Sequence, residues 1–152
     1  MTSFIDLTQL YQTDEMEWLE TTIHLLKNHQ FETLDLENLI EELEDLGNEK
    51  RHAVESLVEQ IIRHLLLIEF WHSERKQNLN HWQAEVISFR TQLRKRLTNN
   101  LRHHLARNFE SIYQDALKYV RAKAGFKVEF PVNCPYTLEQ VFDGDWFPNL
   151  LP

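Results

Sequence analysis

The chain has 152 residues, of which 42% are hydrophobic and 11% aromatic. This length predicts one domain with a buried core, and the presence of only 3 glycines and 4 prolines argues against the frequent turns of an all-β fold. No apolar run reaches the roughly 20 residues of a membrane span, and the N-terminus lacks the pattern of a signal peptide. We therefore expect an all-α, cytoplasmic protein without membrane contact.

The net charge of −8 is distributed unevenly. Residues 1–62 carry 15 acidic and 3 basic side chains, whereas residues 63–152 carry 9 acidic and 13 basic ones. The segment 90–107 is rich in cations, which are Arg90, Arg94, Lys95, Arg96, Arg102 and Arg107. We expect this segment to lie beside the acidic half within the fold. The alternative is a phosphate-binding surface for a nucleic acid.

The predicted elements begin with a helix over 14–28, because Asp14 and Glu17 have capping-box spacing and apolar residues follow with helical period. A second helix is predicted from the N-cap residue Asp35 to about Trp71. It would be roughly 50 Å long at 1.5 Å per residue.

An apolar stripe keeps one helical phase along this second helix. It consists of Leu36, Ile40, Leu43, Gly47, Val54, Val58, Ile61, Leu65 and Ile68. All lie within about 45° of one line at 100° per residue, which predicts a long amphipathic helix in a bundle. Gly47 lies within the stripe, where a missing side chain allows close helix contact. We favour one continuous helix, and a break at Gly47 and Asn48 is the alternative.

Two further helices are predicted over 82–97 and 101–125. Their apolar residues are about 130° out of phase, so the chain must break near Asn99 and Asn100. The expected architecture is thus a bundle of about four helices.

A C-terminal tail follows the predicted core 14–125. Gly125 is a natural left-handed helix cap, and the tail 126–152 contains Thr137 and Gln140 at capping-box spacing for one short helix. We expect the aromatic residues near the C-terminus to hold the tail on the bundle.

Metal binding is a further possibility to weigh. Two Glu-x-x-His pairs, Glu49 with His52 and Glu69 with His72, have the spacing of ligands in ferritin-like di-iron sites. The pairs are some 30 Å apart along one helix, so they cannot share a centre. Glu69, His72 and His64 are the metal candidates. We favour instead a buried ion pair of Glu69 with an arginine of the third predicted helix, such as Arg90, or a hydrogen-bonded histidine, and predict no cofactor.

An acidic row on the second helix allows two interpretations. Glu37, Glu41 and Glu44 line one flank of the apolar stripe. They could act as an acid and base pair or hold a divalent cation, but such a row is usually a solvated face. No nucleophile, base and orienting group occur together, and the single Cys134 has no histidine near it in sequence, so we favour a protein without catalytic activity. The alternative is an enzyme whose site is assembled from several helices, which spacing along one chain does not reveal.

Several stretches carry a resemblance to a known family. They are 35–47 (DLENLIEELEDLG), 63–66 (RHLL), Phe70-Trp71, 73–75 (SER), Trp82 with Glu85, Phe89, Arg90 and Gln92, 113–116 (YQDA), 138–141 (LEQV) and 145–148 (DWFP). In these the chain resembles the bacterial family catalogued as domain of unknown function 29. The resemblance implies a small all-helical fold and supplies no catalytic residue. The chain departs from it at Leu67, where members often have lysine.

The leading functional interpretation is a cytoplasmic interaction or structural module that acts through protein–protein contacts, with a partner protein or as a homodimer. The candidate surface residues are Glu37, Glu41, Glu44, Arg90, Arg94 and Arg96. The alternatives are a nucleic-acid-associated protein that uses segment 90–107, and a metal-dependent hydrolase with ligands among Glu69, His72 and His64.

Overall fold

The computed structural model describes residues 6–150. Within that range it contains α-helices and one 3-10 turn, and no strand. The helices are α1 (Leu7–Thr13), α2 (Glu15–Lys27), α3 (Leu36–Phe70), α4 (His72–Arg96), α5 (Asn99–Ala124) and α6 (Leu138–Phe142), with the 3-10 turn at Phe31–Thr33. The prediction of an all-α fold with a long helix and a short C-terminal helix is confirmed.

The chain divides into two compact units. The N-terminal unit ends at Glu49, and the C-terminal unit begins at Lys50. Helix α3 runs without interruption through Gly47, so it contributes its start to the first unit and its remainder to the second. The prediction of a continuous helix is therefore confirmed.

Side-chain caps begin the first two helices of the N-terminal unit. The carboxylate of Asp6 accepts a hydrogen bond from the Gln9 backbone N–H, and that of Asp14 accepts one from the Glu17 backbone N–H. Such caps satisfy donors that have no partner within the helix. The cap at Asp14 was predicted, whereas α1 was not.

The interior of the N-terminal unit is built around Trp18, which is fully buried. The Tyr11 ring meets the Trp18 ring edge-on, with 5.0 Å between centroids. The indole N–H of Trp18 donates to the carboxylate of Asp35 at 3.2 Å, and the Tyr11 hydroxyl donates to Glu42 at 2.5 Å. Hydrogen bonds around one tryptophan thus connect α1 and α2 to the first turns of α3.

The C-terminal unit has a larger apolar core. Buried side chains from α3, α4, α5 and the tail form one cluster that includes Val58, Ile61, Leu65, Val86, Leu117 and Val141. Trp146 and Phe147 pack against it, so the prediction that C-terminal aromatics hold the tail is confirmed. The capping box of Thr137 and Gln140 and the end of α5 at Gly125, whose φ is +85°, also agree with the sequence.

Arg90 anchors this tail from α4. Its side chain is buried, and its guanidinium donates to the carbonyl oxygens of Gln140, Val141 and Trp146 at 2.9, 2.9 and 2.7 Å. Burial lowers the pKa of the guanidinium, while Asp143 and Asp145 act in the opposite direction. These carbonyl groups take the place of Glu69, which the sequence suggested as the partner of Arg90.

Helix α4 begins at His72, well before the predicted start at Trp82. The Arg75 guanidinium donates to the carbonyl oxygens of Ile68 and Glu69 at 2.7 and 2.8 Å. Because the last carbonyls of a helix have no partner within it, these bonds satisfy the end of α3 and fix the start of α4.

Among the helices within residues 6–150, none combines the length and the apolar character needed to cross a membrane.

Candidate interaction surface

The apolar stripe of α3 is buried at one end and exposed at the other. In the C-terminal unit its members are fully buried, as at Val58 and Leu65. In the N-terminal unit Leu36, Ile40 and Leu43 are 56%, 53% and 60% exposed. The same apolar stripe is therefore buried along one part of α3 and exposed along the other.

Helix α2 carries a second exposed apolar row. Leu19, Ile23 and Leu26 follow the i, i+4, i+7 spacing that also relates Leu36, Ile40 and Leu43, and all are exposed. We call these two rows the N-terminal face: Leu19, Ile23, Leu26, Leu36, Ile40 and Leu43. Within each helix, an exposed apolar row of this kind is typical of an interaction site.

Polar contacts toward the interior turn the α3 row outward. The Asp35 carboxylate, directly before the helix, accepts hydrogen bonds from Trp18 and from the Asn38 amide at 2.7 Å. One turn further on, Glu42 accepts from Tyr11 and also bonds to Glu15, whose pKa this contact raises. With Asn38 and Glu42 directed inward, the 3.6-residue period directs the apolar row to solvent.

The N-terminal face lies in a strongly acidic environment. Residues 1–49 contain 13 acidic side chains and a single lysine. Glu37, Glu41 and Glu44, the predicted acidic row, are exposed along one flank of the α3 row. The apolar row and the carboxylates are thus presented on the same helix.

The arginines of the predicted surface lie in the other unit. Arg94 and Arg96 are exposed in the last turns of α4, whereas Arg90 is buried beneath the tail. Arg102, from the same basic segment, lies with its guanidinium carbon 5.1 Å from the centre of the Phe142 ring. Two arginines of segment 90–107 therefore contact the tail.

The metal candidates have other partners. Nδ1 of His64 donates to the Gln60 carbonyl oxygen at 2.7 Å, and Nε2 of His72 donates to the backbone carbonyl of Glu69 at 2.9 Å. Burial lowers the pKa of His64 and raises that of Glu69. Within the part of the chain that the structure describes, no three His, Cys, Asp or Glu side chains converge to hold a metal ion.

A polar cleft of about 240 Å³ lies between α3 and α5 in the C-terminal unit. Its carboxylates are Glu55, Glu59 and Asp115, and its other lining residues are His52, Ser56, Asn108, Ser111 and Ile112. Glu55 accepts from Nε2 of His104 at 2.6 Å, and Glu59 pairs with Arg63 at 3.0 Å. Two of the three carboxylates thus already have cationic or hydrogen-bonding partners.

Sequence reasoning missed the exposure of the N-terminal face and the role of Arg90. Composition gave no signal for the first, because large apolar residues are about as frequent in residues 1–49 as in the rest of the chain. No local signal identified the second, since the acceptors of Arg90 lie about 50 residues away in sequence.

Comparison with known proteins gives one result. No curated protein and no solved structure has significant similarity to the chain. The family model described as Domain of unknown function DUF29 matches residues 10–147, which include the N-terminal face, the Arg90 anchor and most of the tail. The chain therefore belongs to the DUF29 family.

Proposed function

We propose that this protein is a helical interaction module whose N-terminal face binds a partner protein. The observation that carries the proposal is the exposure of Leu36, Ile40 and Leu43 in a stripe that is otherwise buried. A partner that covered this row would continue the burial that the C-terminal unit provides for the rest of α3.

The energetic argument concerns unused apolar area. Full burial of a leucine or isoleucine side chain stabilises a protein by about 1.5–3 kcal/mol. Because the three residues of the α3 row are more than half exposed, much of that stabilisation remains available for association. The same exposure means that polar substitutions in this row change folding stability little, so binding can be tested separately.

The proposal includes a bacterial, cytoplasmic setting, in which the partner is another protein or a second copy of this chain. The similarity to a bacterial family supports the bacterial setting. The single thiol of Cys134, half-buried and without a disulfide, is compatible with a reducing compartment.

Photo-crosslinking from a chosen position tests the proposal. The photoreactive amino acid benzoylphenylalanine replaces Ile40 in the full chain, which is then irradiated in a bacterial host. The matched control position is Ile87 of α4, since its side chain is 52% exposed and that of Ile40 is 53%. We expect a discrete adduct from position 40 and none from position 87.

Substitution of Leu36 and Leu43 tests whether the adduct from position 40 depends on the α3 row. The adduct from position 40 should disappear when Leu36 and Leu43 are replaced by serine. Equal adducts from positions 40 and 87, an adduct that survives Leu36→Ser and Leu43→Ser, or no adduct from position 40 would contradict the proposal.

A further inference from the structure

We infer that the N-terminal face binds a basic amphipathic helix, in which an apolar row is flanked by lysine and arginine. This inference rests on the proposed function and specifies the chemistry of the partner. It follows from two features of the face, its row spacing and its charge.

The spacing of the rows fits a helical partner. Leu36, Ile40 and Leu43 form a ridge about two turns and roughly 10 Å long, and the row on α2 has the same spacing. Ridges of this spacing pack into the grooves between the corresponding rows of another helix. Partners of this kind present anchors at i, i+3 or i+4, and i+7.

The negative charge of the N-terminal unit favours basic residues beside the apolar row of the partner helix. Among residues 1–49, 13 acidic side chains and one lysine create a strongly negative field. Glu37, Glu41 and Glu44 are exposed beside the α3 row. The electric field of such charges extends over a screening length of about 8 Å at physiological salt. Lysine and arginine flanks would be attracted to this surface, and acidic flanks would be repelled.

The same charge disfavours a second copy of the chain as the occupant. A two-fold dimer through the N-terminal face would place the same acidic surface on both sides of the interface. Each copy would bring Glu37, Glu41 and Glu44 toward the equivalent row of carboxylates. Like-charge contacts of this kind oppose association, so the favoured occupant is a helix of opposite charge.

Synthetic helical peptides of about four turns provide the probes. The first peptide has a leucine row with lysine flanks. The second has glutamate in place of every lysine, and the third has the composition of the first in an order that breaks the apolar row. Binding of each labelled peptide to the full chain is measured by fluorescence anisotropy at several salt concentrations.

We expect the basic amphipathic peptide to bind and the other two to bind at least tenfold more weakly. Ile40→Ser should weaken binding of the basic peptide about tenfold, because it removes apolar area at the centre of the row. Combined substitution of Glu37, Glu41 and Glu44 by glutamine should weaken it by a similar factor and reduce its salt dependence. Ile87→Ser and Glu129→Gln, exposed control substitutions in the C-terminal unit, should leave binding unchanged.

The opposing outcomes separate the inference from the proposed function. Equal or tighter binding of the glutamate-flanked peptide would overturn the inference about charge. The proposed interaction module would remain supported if Ile40→Ser still reduced binding of that peptide. A dimer in sedimentation that Ile40→Ser dissociates would identify a second copy as the occupant, again overturning only the inference. Failure of the basic peptide to bind, or equal binding of the peptide with the broken row, would also overturn it. Failure of the proposed function is detected independently by the crosslinks from position 40.

Discussion

The two units of this protein use apolar residues in opposite ways. Of the 13 large apolar side chains that are exposed within residues 6–150, nine belong to the N-terminal unit, although that unit is much the shorter. The C-terminal unit directs its apolar residues into one continuous cluster. The difference indicates that the N-terminal unit presents apolar surface instead of using it for its own core.

The stabilising contacts of the units differ accordingly. Around Trp18, the N-terminal unit has hydrogen bonds from Tyr11 to Glu42 and from the indole to Asp35. In the C-terminal unit, packing dominates, and its buried cation Arg90 bonds to three backbone carbonyls. Hydrogen bonds can hold a small unit together while its apolar rows remain free for a partner.

Arg90→Met tests the buried anchor of the C-terminal unit and should have the largest effect. Methionine retains much of the side-chain volume but removes every donor to Gln140, Val141 and Trp146. We expect the free energy of unfolding to fall by about 4 kcal/mol, because buried carbonyls lose a charged partner. Urea denaturation measures this loss, and hydrogen exchange should increase first over residues 137–147.

The exposed Arg94 provides the control for that experiment. Arg94→Met should change the free energy of unfolding by less than about 0.5 kcal/mol. Equal effects of the two substitutions would mean that Arg90 does not anchor the tail.

Two leucines of the same stripe test the comparison directly. Leu65 is fully buried and Leu43 is 60% exposed. Leu65→Ala should lower the free energy of unfolding by about 3 kcal/mol through lost burial and a cavity. Leu43→Ala should lower it by less than about 0.5 kcal/mol, because the side chain is already in water. Denaturation of both variants under identical conditions gives the comparison, and similar losses would refute the assigned exposure of the α3 row.

Tyr11→Phe probes the hydrogen bonds of the N-terminal unit. It removes the donor to Glu42 and preserves the edge contact with Trp18. We expect a loss of about 1 kcal/mol in the stability of this unit. The fluorescence of Trp18, in a variant whose other tryptophans are replaced by phenylalanine, measures it. An unchanged transition would show that packing alone holds this unit together.

A smaller, pH-dependent effect is expected at His64. Burial lowers its pKa in the folded protein below the value of 6.5 that applies when it is unfolded. The titratable groups that also act on the pKa of His64 are Glu85 and His81 on α4 and Lys123 on α5. As the pH falls below 6.5, the unfolded state binds the proton first, so stability declines until the lowered folded pKa is reached. Above 6.5 the contribution is constant.

His64→Gln isolates that effect. The glutamine amide can still donate to the Gln60 carbonyl oxygen but does not titrate. The difference in unfolding free energy between the two proteins should change with pH only below about 6.5. A difference that is constant from pH 5 to 8 would contradict a lowered pKa.

Much of the fold could be predicted because its signals are local. Asp14 and Thr137 begin helices through bonds to backbone groups three residues away, and Gly125 ends α5 with a positive φ. The continuity of α3 through Gly47 followed from a phase that both sides share. The early start of α4 was missed because residues 72–81 are almost entirely polar and have no apolar period.

The candidate site could be predicted only in part. Glu37, Glu41 and Glu44 were identified as an acidic flank of the stripe, and the structure leaves them exposed. Their grouping with Arg90 could not be tested from the sequence, since the burial of Arg90 depends on the tail that covers it. A basic residue within an amphipathic helix has the same local appearance whether it meets solvent or distant carbonyl groups.

The sequence by itself determined which segments are helical and which residues share a face, because periodicity, caps and glycine act over a few residues. Only the tertiary structure decided what each face meets. Leu43 and Leu65 occupy the same stripe, yet one is exposed and the other fully buried. The physical reason is that burial depends on the neighbouring elements: packed helices cover the stripe at Leu65, whereas inward bonds of Asn38 and Glu42 turn Leu43 toward solvent.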